Sequence, residues 1–290
     1  MLIGAQLLGY SVNAGMFDAL SVTPGLGLAF VRLRAAYTGK CINVRRDSDN
    51  ATMDIGFRNG LLDTATLLAF NGSANGFVTT WYNQGSLGSA GNATQSTAAS
   101  QPQIVSSGAL ITDGGKPAML VSATQLLKIT GLSAGTFNSS SGFFVNIVAH
   151  DTAAASGANA YVLTNRSSNG WYIRYQGASS YQVSFSTVGT GGGNAQPTVG
   201  SSLFNTQMIL SLNYNGTQIA GRYNGNAATA SASYNADAAN VIYINTSGSG
   251  GGEAGYVSQV VGLNASISNA DWATLELAEA ALYGISGVTQ

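Results

Sequence analysis

From about residue 100 the chain advances in short runs in which apolar and polar residues alternate. The clearest are "SGFFVNIVAH", "GWYIRYQ", "SYQVSFSTV", "TQMILSLNYNG", "TQIAGRYNG" and "ANVIYIN", separated by Gly, Ser and Asn. Successive side chains of a strand point to opposite faces, so a period of two predicts strands. Their aromatic and β-branched content, with turn residues at this spacing, predicts a β-sandwich. Within "YNGTQIAGRYNG" two Asn-Gly pairs flank an alternating run, which predicts consecutive hairpins. "GTGGGNAQP" and "NTSGSGGGEAG" are too rich in glycine for strands. They lack the strand-to-helix context of a phosphate-cradling loop and are expected on the surface.

The first hundred residues read differently. "TPGLGLAFVRLRAAYTG" predicts a helix, with Thr23 as cap, Pro24 in the first turn and Leu26, Phe30, Leu33 and Tyr37 at helical spacing before Gly39. "CINVR" alternates as a short strand, "LDTATLLAF" is a short helix capped by Asp63, and "GFVTTWYNQ" is a strand running into a turn. At the far end, "SISNADWATLELAEAALYG" predicts a helix. Ser268 and Asp271 stand in a capping relation, Trp272, Leu275 and Leu282 share one side, and Gly284 is the stop. Glu276 and Glu279 are expected on its solvated face. Residues 1–22 are weakly apolar and carry one charge, Asp18, so they read as an arm buried against another subunit through its leucines and Met16. Residues 23–290 read as a single domain, because no linker divides them.

Composition narrows the function. Charged residues are 8% of the 290 and the net charge is −1, against about 25% charged in an average soluble protein. A nearly uncharged surface offers no basic stripe to a phosphate backbone, so nucleic acid is not an expected partner. No stretch reaches the roughly 20 apolar residues of a membrane-spanning helix, and the N-terminus lacks the positive region of a signal peptide. The lone cysteine, Cys41, reads as a buried structural thiol. The lone histidine, His150, has no second histidine or acid cluster to make a metal site. No metal and no cofactor is expected.

Two groups of residues stand out. "AYTGKCINVRRDSDNATMDIGF" gathers Arg45, Arg46, Asp47, Asp49 and Asp54 into a chain poor in charge. Such a cluster is either catalytic or a hydrogen-bonded structural corner, and arginine–carboxylate pairs that fix a turn are the preferred reading. Alternation sets Trp171 and Tyr175 on one face of their strand and Tyr172 on the other. Trp171 and Tyr175 make either a stacking platform for a sugar or part of the core.

The stretch "RLRAAYTGKCINVRRDSDNATMDIGF", followed by "LLDTATLLAF", "GFVTTWYNQ" and "NATQSTAASQPQIV", resembles the catalytic-domain family of arabinofuranosidase B-type glycosidases. It is closer still to the related modules of bacteriophage tail-fibre and virion proteins. The match is dense from Arg32 to Val105. It implies a mainly β fold, a concanavalin A-like antiparallel β-sandwich (jelly roll) with short N-terminal helices and a C-terminal helix. The family's Tyr-Asp-Gln turn reads "WYNQ" here, with Asn83 for the acid. The strand that precedes the family's nucleophilic glutamate resembles "GWYIRYQGASSYQVSF", which has no acid. The loop of its acid aspartate corresponds to "NTSGSGGGEAG", with Glu253 alone. A two-carboxylate hydrolase needs its acids about 5–10 Å apart, and only Asp151 lies between Gly114 and Ala236. The resulting expectation is a protein without catalysis: a bacteriophage virion component of tail fibre, baseplate or capsid decoration. It would form a homo-oligomer, contact other virion proteins and contact a host-surface glycan. A lectin-like carbohydrate-binding module is the alternative, and an arabinofuranosidase-like hydrolase the third reading.

Overall fold

A computed structural model of the chain describes residues 15–152, 160–165, 169–176, 182–188, 193–195, 206–238, 240–246, 251–252 and 254–288. Two antiparallel layers make up most of it. The front layer runs Thr52–Ile55, Ile42–Arg46, Gly76–Trp81, Ala93–Thr94, Leu127–Ile129, Ile242–Ile244, Ala160–Asn165, Gly170–Gln176, Gln182–Val188 and Asn194–Ala195, each bonded to the next. At the centre of the back layer Phe143–Asp151 lies between Gly255–Leu263 and Gln207–Tyr214. Gln218–Tyr223 and Asn226–Ser231 extend it on one side, and Leu26–Ala29 and Met119–Val121 on the other. Gln103–Ser106 pairs with strands of both layers and joins them at one edge.

The alternating runs are strands, and both Asn-Gly turns join hairpins as expected. Asn224 and Gly225 have φ of 44° and 84°, the left-handed pair that a tight hairpin of this twist requires. One exception falls in "GTGGGNAQP", where Asn194–Ala195 adds a two-residue strand beside Gln182–Val188. Between the layers lies the main core, where Val145, Ile147, Leu210, Leu212 and Val260 of the back meet Ile42, Val78, Trp81, Ile173 and Ile244 of the front.

The C-terminal helix α1, Asn269–Tyr283, is capped by Ser268, whose Oγ accepts from the Asp271 amide, and stops at Gly284 with φ of 72°. It covers the outer face of the back layer, where Trp272, Leu275, Ala278 and Leu282 pack with Phe144, Val148, Ile209 and Val261. Strands of the back layer are therefore buried on both sides, which explains why "FFVNIVA" reads as a nearly unbroken apolar run.

Three expectations are corrected here. The helix predicted over 24–37 is instead a strand, Leu26–Ala29, buried along its whole length. Its helical spacing of apolar residues arises because both strand faces are covered, which erases alternation. Gly27 is a packing requirement, since a Cβ there would lie 2.5 Å from the ring of Phe17. Glu276 and Glu279, expected in solvent, are fully buried on the inner side of α1. Finally, Met16 and Phe17 are buried by their own chain, beside α1 and the back layer, rather than by another subunit. The rest of the arm, residues 1–14, lies outside the described residues.

Candidate functional site

Side chains of directly paired residues share a sheet face, so the front layer's registers define what its outer surface presents. One row crosses it: Asp54, Asn43, Thr80, Thr94, Lys128, Tyr243, Thr164, Tyr172 and Ser186, each opposite the next. From Asp54 to Tyr243 the row is open or half-buried, and from Thr164 onward it is buried. The open part holds a groove of about 440 Å³ lined by Thr79, Thr80, Thr94, Thr97, Lys128 and Thr130 among others.

Local chemistry sets these groups in place. A register shift between Asn43 and Val44 adds a residue to Gly76–Trp81, so Thr79 joins Thr80 in the groove. The Thr79 hydroxyl donates to Asn43 Oδ1 at 2.5 Å, and Asn43 Nδ2 donates to Asp54 Oδ1 at 2.8 Å. Tyr82 also donates to Asp54 Oδ1, at 2.7 Å. Burial, then the Asp54 carboxylate, pushes the Tyr82 hydroxyl up to about 12. The Lys128 ammonium stands 5.7 Å from the centre of the Tyr243 ring, within cation–π range. Hydroxyls that donate and accept, one aromatic ring and two isolated charges make a surface suited to neutral polyhydroxylated ligands.

Trp171 and Tyr175 do not belong to this surface. Both are essentially fully buried. Trp171 Nε1 donates to the Phe137 carbonyl at 2.6 Å and its ring lies 5.7 Å from that of Phe143. Alternation separates the two faces as expected, and Tyr172 takes the outer one, with Arg174 stacked over it at 4.5 Å and Tyr161 edge-on at 5.5 Å. The platform is corrected to core.

The charged stretch forms a corner. Arg46 grips Asp49 with Nε and NH2 at 3.0 and 2.6 Å, and its NH1 donates to the Phe70 carbonyl in the last turn of the helix Thr64–Asn71. The arginine holds the Asp49 carboxyl down at about 2. Arg45 binds Gln101 and Asn50, Asp47 accepts from Asn75 N and Nδ2, and Asp54 faces the row described above. Only Arg46 and Asp49 pair with each other. Cys41 is buried with its thiol toward the Ala29 carbonyl, and burial raises it well above the ordinary thiol value. His150 Nδ1 lies 2.8 Å from Asp113 Oδ1. Glu253 lies outside the described residues.

The "WYNQ" turn has a structural use that sequence reasoning missed. Asn83 Oδ1 accepts from the amides of Gly27 and Gly85 while its Nδ2 donates to the Gly25 and Gly88 carbonyls. An ionised aspartate has no hydrogen to donate. Gln84 clamps the same segment, accepting from Leu33 N and donating to the carbonyls of Ala29 and Val31. Thr80, Thr94, Lys128 and Tyr243 were also missed. They come from strands far apart in sequence, and no local signal announces their register.

No family model and no curated protein matches the chain. Solved structures do. An arabinofuranosidase complexed with arabinofuranosyl-α-1,2-xylobiose superposes with a TM-score of 0.67 at 15% identity, over 92% of this chain and 64% of that one. A GH54 α-L-arabinofuranosidase soaked with a cyclic sulfate inhibitor gives 0.62 at 13% identity, with the same coverage. A mutant GH54 enzyme soaked with 4-nitrophenyl α-L-arabinofuranoside gives 0.61. The chain thus spans about 64% of the length of these proteins and shares their fold. The expectation of a chain without catalysis is corrected by this likeness, because these three structures, which share its sandwich over 92% of its length, are arabinofuranosidases.

Proposed function

We propose that this chain engages a carbohydrate along the outer face of its front layer, with an arabinofuranose-containing oligosaccharide as ligand. The observation that carries the reading is the open row from Asn43 to Tyr243, with threonine hydroxyls lining a groove and the Tyr243 ring ending the row. Likeness to arabinofuranosidases, one of them complexed with arabinofuranosyl-α-1,2-xylobiose, supports the choice of sugar. The same reading sets the domain in a bacteriophage virion, as an oligomer among other virion proteins. That part is supported by the resemblance over Arg32 to Val105 and by the charge-poor composition.

Calorimetry with arabinofuranosyl-xylobiose tests it. Binding should change little between 50 and 500 mM salt, because only Lys128 and Asp54 contribute full charges to the open row. Tyr243→Ala should weaken it about tenfold, the scale of one lost aromatic contact. Absence of binding, or an unchanged affinity in Tyr243→Ala, would contradict the reading. Release of 4-nitrophenol from 4-nitrophenyl α-L-arabinofuranoside, lost in Tyr243→Ala, would make the face an active site.

A further inference from the structure

A second groove, of about 250 Å³, lies between residues 32–40 and 56–57. Its chemistry is unlike that of the threonine groove. Arg32 and Lys40 both line it, and no acid does. Among the described residues neither cation forms an ion pair. The nearby acids are engaged elsewhere, Asp54 by Asn43 and Tyr82, and Asp18 by the amides of Gly15 and Ala35. Arg32 is half-buried, its backbone amide is tied to the Gly60 carbonyl, and its buried Nε has no hydrogen-bond partner. A guanidinium and an ammonium that line one groove without an ion pair, and with no acid beside them, leave a place for an anion.

Two aromatic rings line the groove as well. Tyr37 and Phe57 meet edge to face with centroids 6.1 Å apart, and the Tyr37 hydroxyl is anchored to the Lys40 carbonyl at 2.8 Å. Gly56, which also lines the groove, leaves open space where a side chain would stand. The volume is below the about 300–1,000 Å³ of ordinary ligand pockets, so the groove holds one ring of an oligosaccharide and leaves the next outside it. A planar guanidinium matches a carboxylate with two parallel hydrogen bonds, and a neighbouring ammonium adds charge without geometry.

We propose that this groove recognises a uronic-acid residue, its carboxylate held by Arg32 and Lys40 and its ring laid against Tyr37 and Phe57. The carboxylate stands on the groove's own chemistry, while the sugar rests on the carbohydrate reading given above. Calorimetry with digalacturonate, its dimethyl ester and sodium sulfate tests it on the full chain. The acid should bind at least tenfold more tightly than the ester or sulfate and weaken severalfold between 50 and 300 mM salt. Arg32→Gln and Lys40→Gln should each lower its affinity about tenfold with melting temperature unchanged for Lys40→Gln, while Tyr243→Ala has no effect. No binding at millimolar digalacturonate, equal binding of the ester, or equal binding of sulfate would overturn the proposal. Loss of digalacturonate binding in Tyr243→Ala but not in Lys40→Gln would also overturn it, moving the uronate to the front face and leaving the carbohydrate reading intact.

Discussion

Trp171→Ala should destabilise the fold by about 3–5 kcal/mol, the range for removing a large aromatic from a core. Of the total stability of a typical domain, about 5–15 kcal/mol, this is a large share. Trp171 is fully buried, packs on Phe143 and satisfies the Phe137 carbonyl through its indole nitrogen. Removing it therefore opens a cavity and leaves a buried carbonyl without that donor. Urea denaturation should show a markedly lower midpoint. A midpoint close to that of the wild type would mean that the ring contributes little to the core and would reopen Trp171 as a surface group.

The second large effect lies beneath α1. Glu276 accepts from Ser211 Oγ at 2.7 Å and Trp272 Nε1 at 2.8 Å, with Arg222 NH1 at 3.4 Å. Glu279 accepts from Gln259 Nε2 at 2.6 Å and Asn146 Nδ2 at 3.0 Å. Glu276→Ala strands these donors around a void and should cost about 3–5 kcal/mol, as when one partner of a buried charge pair is removed. Glu279 behaves differently. Complete burial raises its carboxyl well above the ordinary value, the neighbouring Glu276 adds to this, and the Asn146 and Gln259 bonds oppose it. Burial raises Glu276 as well, against its bonds to Ser211, Arg222 and Trp272. A folded state that holds its proton more tightly than the unfolded chain loses stability as pH rises above the unfolded value, about 4.3 for glutamate. Asn146 Oδ1 is buried without a partner, and a half-turn of that amide would present an acceptor to the Glu279 proton. Wild-type stability should therefore fall as pH rises above about 4.3. Glu279→Gln, neutral at every pH, should show a shallower decline. Parallel profiles would refute the assignment.

Sequence pattern carried the sandwich because its signal is local. Alternation in "QMILSLNY" and "QIAGRY", turn glycines at 216 and 225, and the Ser268 cap each act within a few residues. It failed where covering layers decide the outcome. Leu26–Ala29 is buried on both faces and so lost its period of two, and Glu276 and Glu279 look like solvated helix positions until α1 is laid on Asn146, Ser211 and Gln259. The direction of the Trp171 face followed the same rule: alternation separates two faces without saying which is inside. The open row was illegible for another reason. Thr80, Thr94, Lys128 and Tyr243 meet only through pairings between residues 14 to 115 positions apart along the chain.

The most direct test of a carbohydrate-engaging front face is a backbone amide NMR titration with arabinofuranosyl-xylobiose. Thr80, Thr94, Lys128 and Tyr243 should shift together along one saturable curve, with Phe144 and Val148 of the covered back layer unmoved. Shifts confined to other surfaces, or none at millimolar sugar, would contradict that assignment.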